Sequence, residues 1–194
     1  MSPSLRAERK TRTSAVITTT ALELFTTRNF GDVTMSEIAA EAGVGERTLY
    51  RYFADKEELL FGGDEAFREQ LRSAVIGRPT GEEPFTALHQ ASRSVAAILE
   101  GRRVEVARRA SVIAGAPALL ARERAKHAAW EAVLTEALTE RGVGAQTARL
   151  LGRITVACYD EATTRWLADA DQEATLSSAL DDGFDEISAL GVPI

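Results

Sequence analysis

The chain of 194 residues has one cysteine, Cys158, and two histidines, His89 and His127. A single cysteine excludes an internal disulfide framework, and so few cysteine and histidine ligands argue against a metal centre within one chain. No apolar run approaches the roughly 18 residues that span a bilayer, and the polar, basic N-terminus has no signal-peptide core. We therefore expect a cytoplasmic protein with no metal, no cofactor and no membrane partner.

The usual sequence patterns of catalytic sites are also missing. The chain has no glycine-rich phosphate loop, no cysteine and histidine pairs at metal-ligand spacing, and no persuasive serine, histidine and aspartate set. Hydrophobic residues make up 45% and charged residues 27%, which is ordinary for a globular protein that buries a core. These features predict a globular protein that is not an enzyme.

Charge is unevenly distributed along this acidic chain, whose formal net charge is −6. Residues 1–56 sum to +1, whereas the remainder sums to −7. Four bases and one acid fall between Arg6 and Arg12, a segment that reads either as a solvated tail or as a basic arm. A head that is not acidic on an acidic body is typical of a small nucleic-acid reader attached to a larger domain.

The hydrophobic pattern predicts helices along almost the whole chain. Apolar residues recur at spacings of three and four, and long alternating runs of β-branched and aromatic residues are absent. Capping residues and glycine or proline breaks divide the pattern into about nine helices of an all-α fold. The predicted helices cover 4–28, 34–42, 46–53, Asp55 through Val75, 84–100, 103–114, 117–140, 145–169 and 173–190.

The segment from Thr34 to Lys56 predicts a helix-turn-helix. Thr34 and Glu37 have the spacing of a capping box, and Gly43 suits the positive φ of a tight turn between two short helices. The second helix would then present a polar face to the major groove of DNA. Its exposed residues would be Glu46, Arg47, Thr48, Tyr50, Arg51 and Tyr52.

The run VTMSEIAAEAGVGERTLYRYFADKEELL, from Val33 to Leu60, closely resembles the DNA-binding domain of TetR-family regulators. The resemblance covers about residues 12–60, and beyond them only the helical pattern and length agree. It implies a DNA-binding domain over residues 1–58 and a helical ligand-binding and dimerisation domain over residues 59–194. It also implies a homodimeric regulator, usually a repressor that a small ligand releases from palindromic half-sites.

The resemblance assigns DNA-binding roles to matching positions. Arg47 is expected to read guanine, and Glu46 is expected either to accept from cytosine or to reject wrong registers. Thr34 and Lys56, at helix N-termini, are expected to bind phosphate, so replacing Lys56 should lower the salt slope by about one unit. Tyr50 and Tyr52 are expected to contact phosphate or a thymine methyl group, and Thr48 and Arg51 are expected to contact the DNA backbone. The arm Arg6–Arg12 becomes a minor-groove or phosphate contact.

The C-terminal part contains candidates for a dimer interface. The helix over 145–169 is apolar on two sides, and a surface helix of a monomer needs only one apolar stripe. With the last helix it could form a four-helix interface, although both stripes could instead pack within one chain. The expected interface residues are Leu151, Ile154, Cys158, Trp166, Leu180 and Phe184.

Polar and aromatic residues on apolar faces suggest where a small effector binds. The candidates are Phe67, Ser92, Arg108, His127, Trp130 and Tyr159, each of which could instead be a satisfied core residue. Gly62 and Gly63 inside the fourth helix suggest either a bend or fraying near its start. The rival functions are a ligand-independent regulator and a helical small-molecule-binding protein that does not bind DNA.

Overall fold

The structure is a computed structural model that describes residues 5–171 and 173–190, with side chains described from residue 9 onward. Within these residues the secondary structure is entirely helical, which confirms the all-α prediction. The α-helices are α1 (Leu5–Thr27), α2 (Met35–Glu41), α3 (Glu46–Tyr52), α4 (Glu58–Phe61), α5 (Asp64–Ile76), α6 (Pro84–Glu100), α7 (Arg103–Ala114), α8 (Pro117–Glu140), α9 (Ala145–Ala168) and α10 (Leu176–Ala189), and a 3-10 turn covers Phe30–Asp32.

The fourth predicted helix is two helices, because the glycine pair breaks it. Gly62 leaves the helical conformation with ψ of 138°, and Gly63 has a φ of +93°. A Cβ atom on Gly62 would lie 2.7 Å from the carbonyl oxygen of Glu58, so a larger residue would force a shift. Gly62 and Gly63 therefore separate α4 from α5, so the prediction of one continuous fourth helix is wrong, while a bend at this pair stays a prediction.

The sequence spacing also makes Asp55 the expected cap of this helix and Glu58 its capping-box partner, and the structure differs from that pattern in detail. The Glu58 N–H donates to Asp55 Oδ1 over 2.7 Å, as the spacing predicts. The Glu58 carboxylate accepts instead from the Ala54 N–H at 2.6 Å, one residue before the expected donor. The helix consequently begins at Glu58 rather than next to Asp55.

Contacts divide the chain into two compact units. The first unit runs up to Gly63 and also takes Val104–Arg122, and the second takes Asp64–Arg103 and the chain from Glu123 onward. A single boundary after residue 58 therefore does not describe the packing.

The shared hydrophobic core of the first unit explains this division. Side chains of α7 and of the beginning of α8 lie among those of α1 to α4, so burial places them in the N-terminal unit. Its buried members include Ile17, Ala21, Val33, Ile38, Leu49, Leu59, Leu60, Val112, Ile113 and Leu119.

The second unit packs α6 against α5, α9 and α10, and α9 against α10. A close approach of α8 and α9 depends on Gly152, where a Cβ atom would lie 3.1 Å from the Glu131 carbonyl oxygen. Five of the six expected interface residues are buried within this single chain: Leu151, Cys158, Trp166, Leu180 and Phe184, while Ile154 is half-buried. The dimer-interface prediction is wrong for these five, because both apolar stripes of α9 pack against helices of the same unit.

Among the described residues, no helix has both the length and the apolar character required to cross a membrane.

Candidate functional site

The α2 and α3 helices form the predicted helix-turn-helix. Thr34 caps α2 in a complete capping box with Glu37, which confirms that prediction. Gly43 has a φ of +66°, and the Val44 N–H donates to the Ala39 carbonyl oxygen at 2.9 Å to close the turn. Gly43 thus supplies the residue that tolerates positive φ in this turn, and the carbonyl oxygen of the small Ala39 accepts the bond that closes it.

One face of α3 is anchored in the core and the opposite face is free. Leu49 is fully buried, whereas Arg47, Tyr50 and Arg51 are exposed. These three lie at spacings of three and four, so they share one face of the helix. The Arg51 guanidinium lies 5.4 Å from the centre of the Tyr52 ring, which is half-buried against Phe53.

The other predicted residues of α3 make contacts inside the protein. Thr48 is half-buried, and its N–H donates to the Gly45 carbonyl oxygen at 2.8 Å. The Glu46 carboxylate accepts a hydrogen bond from the Ser36 hydroxyl on α2. Because Gly45 supplies no side-chain cap, this bond is a tertiary anchor for the first turn of α3. The sequence signal for it was weak, since ten residues separate Ser36 from Glu46.

Thr34 does not present a free hydroxyl to a phosphate, contrary to expectation. Thr34 Oγ1 donates to Glu37 Oε2 at 2.8 Å and accepts from the Glu37 N–H at 3.2 Å. The Thr34 N–H also donates to Glu37 Oε2 at 2.8 Å. The hydroxyl proton is therefore used inside the capping box and is not available to a phosphate.

Glu37 is held in its ionised form at the N-terminus of α2. The Arg28 guanidinium donates to Glu37 Oε1 at 2.8 Å, and Thr34 adds the backbone and hydroxyl bonds. Together these bonds lower the pKa of Glu37 from its ordinary 4.5 to about 2. Sequence reasoning missed Arg28, because its nine-residue separation from Glu37 follows no helical spacing.

Lys56 is also placed differently from the prediction. Its Nζ atom donates to the carbonyl oxygens of Phe30 at 2.6 Å and Val33 at 2.9 Å, with that of Gly31 at 3.4 Å. The side chain is half-buried rather than extended toward solvent. The ammonium group of Lys56 is therefore occupied within the first unit.

The basic arm is the beginning of a long helix. The α1 helix starts at Leu5, so the arm continues the helix backbone without a break. Arg9, Lys10 and Arg12 are exposed, whereas the Arg6 side chain lies outside the described residues. A DNA contact by this arm stays a prediction.

In the second unit, three of the predicted effector residues form one aromatic cluster. The Phe67 ring lies 4.5 Å from the Trp130 ring and 5.9 Å from the Tyr159 ring, between centroids. Trp130 and Tyr159 meet edge to face at 5.8 Å. The Trp130 indole N–H donates to Asp64 Oδ1 at 2.6 Å, so the polar groups of these two side chains are paired.

Tyr159 and Ser92 carry buried hydroxyls that have no hydrogen-bond partner among the described residues. Burial raises the pKa of the Tyr159 hydroxyl, and the negative charge of Glu100 adds to this rise. The Tyr159 hydroxyl is therefore a neutral donor without an acceptor, and such groups in a folded core call for a specific explanation.

The remaining two effector candidates differ from each other. His127 Nε2 lies 3.4 Å from Glu123 Oε1, and the His127 ring lies 5.5 Å from that of Trp130. Burial acts to raise the pKa of Glu123, but the hydrogen bond from His127 and the charge of Lys126 outweigh burial, so the pKa of Glu123 is lowered. Arg108 is exposed on α7 and belongs to the first unit, whereas the other five candidates belong to the second, so its part in an effector pocket stays a prediction.

A surface groove of about 480 Å³ lies beside α5 and does not coincide with the predicted pocket. Its lining is mainly charged and consists of Glu65, Ala66, Arg68, Glu69, Arg72 and Val133. In the part of the chain that is described, no group of three or more histidine, cysteine, aspartate or glutamate side chains is placed to hold a metal ion.

Comparison with known protein families gives one match that contains the helix-turn-helix and a second match to the C-terminal part of the chain. Residues 17–62 match the family described as bacterial regulatory proteins, tetR family, and residues 82–190 match the MftR C-terminal domain. A Mycobacterium tuberculosis protein named as a candidate mycofactocin biosynthesis transcriptional regulator, MftR, is 28% identical over 189 residues, which cover 93% of this chain and 92% of that protein.

Two solved structures are similar in fold. FadR from Bacillus subtilis in complex with stearoyl-CoA has a TM-score of 0.59 at 20% identity, over 88% of this chain and 95% of that chain. FadR from Thermus thermophilus, a transcriptional repressor in complex with lauroyl-CoA, has a TM-score of 0.53 at 24% identity, over 90% of this chain and 93% of that chain.

The lowered pKa of Glu37 predicts how acid acts on the first unit. A carboxyl group whose pKa falls on folding contributes stability above its unfolded pKa and loses that contribution as pH falls through the folded pKa. Between pH 4.5 and about 2, the wild-type chain should therefore lose thermal stability more steeply than Glu37→Gln. Thermal midpoints across this range measure the difference. Glu41→Gln is the control for an added amide on α2, and parallel curves for wild type and Glu37→Gln would contradict the assignment.

Proposed function

Because the chain belongs to the TetR family of bacterial transcriptional regulators and has an MftR-type C-terminal domain, we propose that it is a homodimeric repressor that a small, largely apolar ligand releases from a palindromic operator. The observation that supports DNA reading most directly is the exposed face of α3, with Arg47, Tyr50 and Arg51. The opposite face of the same helix is anchored by the fully buried Leu49.

Arg47 is the proposed base reader. Its guanidinium is exposed near the beginning of α3, has no partner among the described residues, and can donate two parallel hydrogen bonds to O6 and N7 of guanine. Tyr50, whose side chain is 54% exposed, offers a ring for a thymine methyl group and a hydroxyl for phosphate. Arg51 supplies a second cation on this face for the DNA backbone.

A homodimer follows from the geometry of DNA recognition by such a short helix. Two recognition helices read successive major grooves about 34–36 Å apart, which requires a two-fold pair of chains and palindromic half-sites. The residues expected at the interface are mostly buried within one chain. We therefore transfer the proposed interface to the exposed face of α9. On this face Leu150 is 57% exposed, and the exposed residues Arg153 and Ala157 follow it at spacings of three and four.

The aromatic cluster of Phe67, Trp130 and Tyr159 is the proposed effector site. Its rings provide an apolar surface, and the buried Tyr159 hydroxyl provides one neutral hydrogen-bond donor. An apolar ligand with a hydrogen-bond acceptor would satisfy that donor. The two FadR structures of the same fold hold stearoyl-CoA and lauroyl-CoA, so a long-chain acyl thioester is the first effector class to test.

We predict that Arg47→Ala relaxes base discrimination at one operator position by roughly 1–3 kcal/mol, because one bidentate contact is lost. The measurement uses an operator selected from a random duplex library, together with duplexes that carry each single-base change. Arg51→Ala is the matched control and should weaken all duplexes evenly. An equal loss by Arg47→Ala on operator and random DNA would refute the readout role.

For the effector site, we predict that Tyr159→Phe raises the stearoyl-CoA or lauroyl-CoA concentration needed for half-release of the operator by about tenfold, because one buried hydrogen bond is lost. Fluorescence anisotropy of labelled operator measures release relative to each variant's own DNA affinity. Thr164→Val, which removes an exposed hydroxyl from the same helix, is the control.

Other outcomes of this titration identify the rival functions. A wild-type chain that binds operator but responds to neither thioester at saturation would contradict this effector class and favour a ligand-independent regulator. A chain that binds the thioester but no duplex from the library would indicate a helical small-molecule-binding protein.

A further inference from the structure

Lys56 makes an unusual set of contacts for a cation in a DNA-binding unit. Its Nζ atom donates to the carbonyl oxygens of Phe30 at 2.6 Å and Val33 at 2.9 Å, and the oxygen of Gly31 lies 3.4 Å away. The same atom lies 4.4 Å from the centre of the Phe30 ring. Three carbonyl oxygens match the three donors of an ammonium group.

Arg28 completes this arrangement at the same segment. Its guanidinium donates to the Asp32 carbonyl oxygen at 2.8 Å and to Glu37 Oε1 at 2.8 Å. The four successive carbonyl groups of residues 30–33 are therefore all bound by two cations. We name Lys56, Arg28 and these four carbonyl groups the carbonyl clamp.

The carbonyl clamp holds both ends of the helix-turn-helix. The four carbonyl groups come immediately before Thr34, the capping residue of α2, and Lys56 comes shortly after the last residue of α3. Hydrogen bonds from a charged donor are stronger than those between neutral groups, so the clamp restrains these two chain segments firmly. The orientation of α2 and α3 in the first unit depends on both segments.

We propose that Lys56 is a positioning residue that fixes the helix-turn-helix through the carbonyl clamp, and that it does not bind a DNA phosphate. This proposal rests on the proposed DNA-binding function. A phosphate contact would require Lys56 to give up bonds to backbone carbonyls, which would then lose a charged donor in a half-buried site. Binding of phosphate by the exposed arginines of α3 requires no such exchange.

A phosphate contact and the carbonyl clamp predict opposite effects of replacing Lys56 with arginine. Arg keeps the positive charge, so Lys56→Arg would preserve a phosphate contact. A planar guanidinium cannot direct three hydrogen bonds from one nitrogen atom to three converging carbonyl oxygens, so it cannot rebuild the clamp. Under the clamp proposal, Lys56→Arg and Lys56→Met are therefore similarly damaging.

The experiment measures affinity of the intact chain for its selected operator and for a random-sequence duplex across a range of salt concentrations. Temperatures well below each variant's unfolding transition separate loss of positioning from loss of folding. Lys56→Met and Lys56→Arg should each weaken operator binding by at least about tenfold while the salt slope stays that of wild type. Arg124→Met, an exposed arginine of the second unit, controls for the change in net charge.

A salt slope lowered by about one unit in Lys56→Met, with wild-type affinity in Lys56→Arg, would overturn the proposal in favour of a phosphate contact. Wild-type affinity in both variants would also overturn it. A merely structural lysine would lower the melting temperature but leave the affinity of the folded chain unchanged.

A measurement on the wild-type chain tests the clamp even where the variants fail to fold. The chain has only three lysines, Lys10, Lys56 and Lys126, so their ammonium groups can be distinguished by nitrogen-15 NMR. The Lys56 ammonium should exchange slowly with water, and its signal should be unchanged when DNA is added. Rapid exchange in the free chain, or a large shift on addition of DNA, would contradict the proposal. A wild-type chain that binds no duplex would refute the proposed function, whereas slow exchange in that chain would still support the clamp.

Discussion

A helix of seven residues must be held in place by its surroundings, and the proposed function depends on this constraint. Isolated helices shorter than about 12–15 residues are marginal in water, so α3 cannot be stable on its own. Leu49 buries its side chain fully in the core of the first unit, and Ser36 on α2 donates to Glu46 in the first turn. Because these contacts use the inner face and the N-terminal end of α3, the outer face is left free to contact another molecule.

Charge in the first unit is divided between internal and external roles. Arg28 and Lys56 bind backbone carbonyls or a carboxylate, and Glu37 is ionised beside them. Arg47 and Arg51 make no such bonds to the described residues and lie on the exposed face of α3. The charge balance of residues 1–56 therefore does not measure the charge of the surface that is proposed to meet DNA, because Arg28, Lys56 and Glu37 are engaged in internal contacts.

Local signals in the sequence predicted the helices well, because capping and breaking residues act over a few positions. Thr34 with Glu37 and the positive φ of Gly43 are features of this kind. The errors concern properties that depend on distant packing. The apolar stripes of α9 were misassigned because a sequence shows which side chains are apolar but not which element covers them. The carbonyl clamp was missed because backbone carbonyl groups leave no mark in the sequence.

The most direct test of DNA reading by α3 is the crystal structure of the protein bound to its selected operator. The proposed function predicts a two-fold dimer with the α3 helices in successive major grooves, about 34–36 Å apart, and with each Arg47 hydrogen-bonded to a base edge. A complex in which α3 faces away from the duplex, or in which Arg47 contacts only solvent, would contradict it.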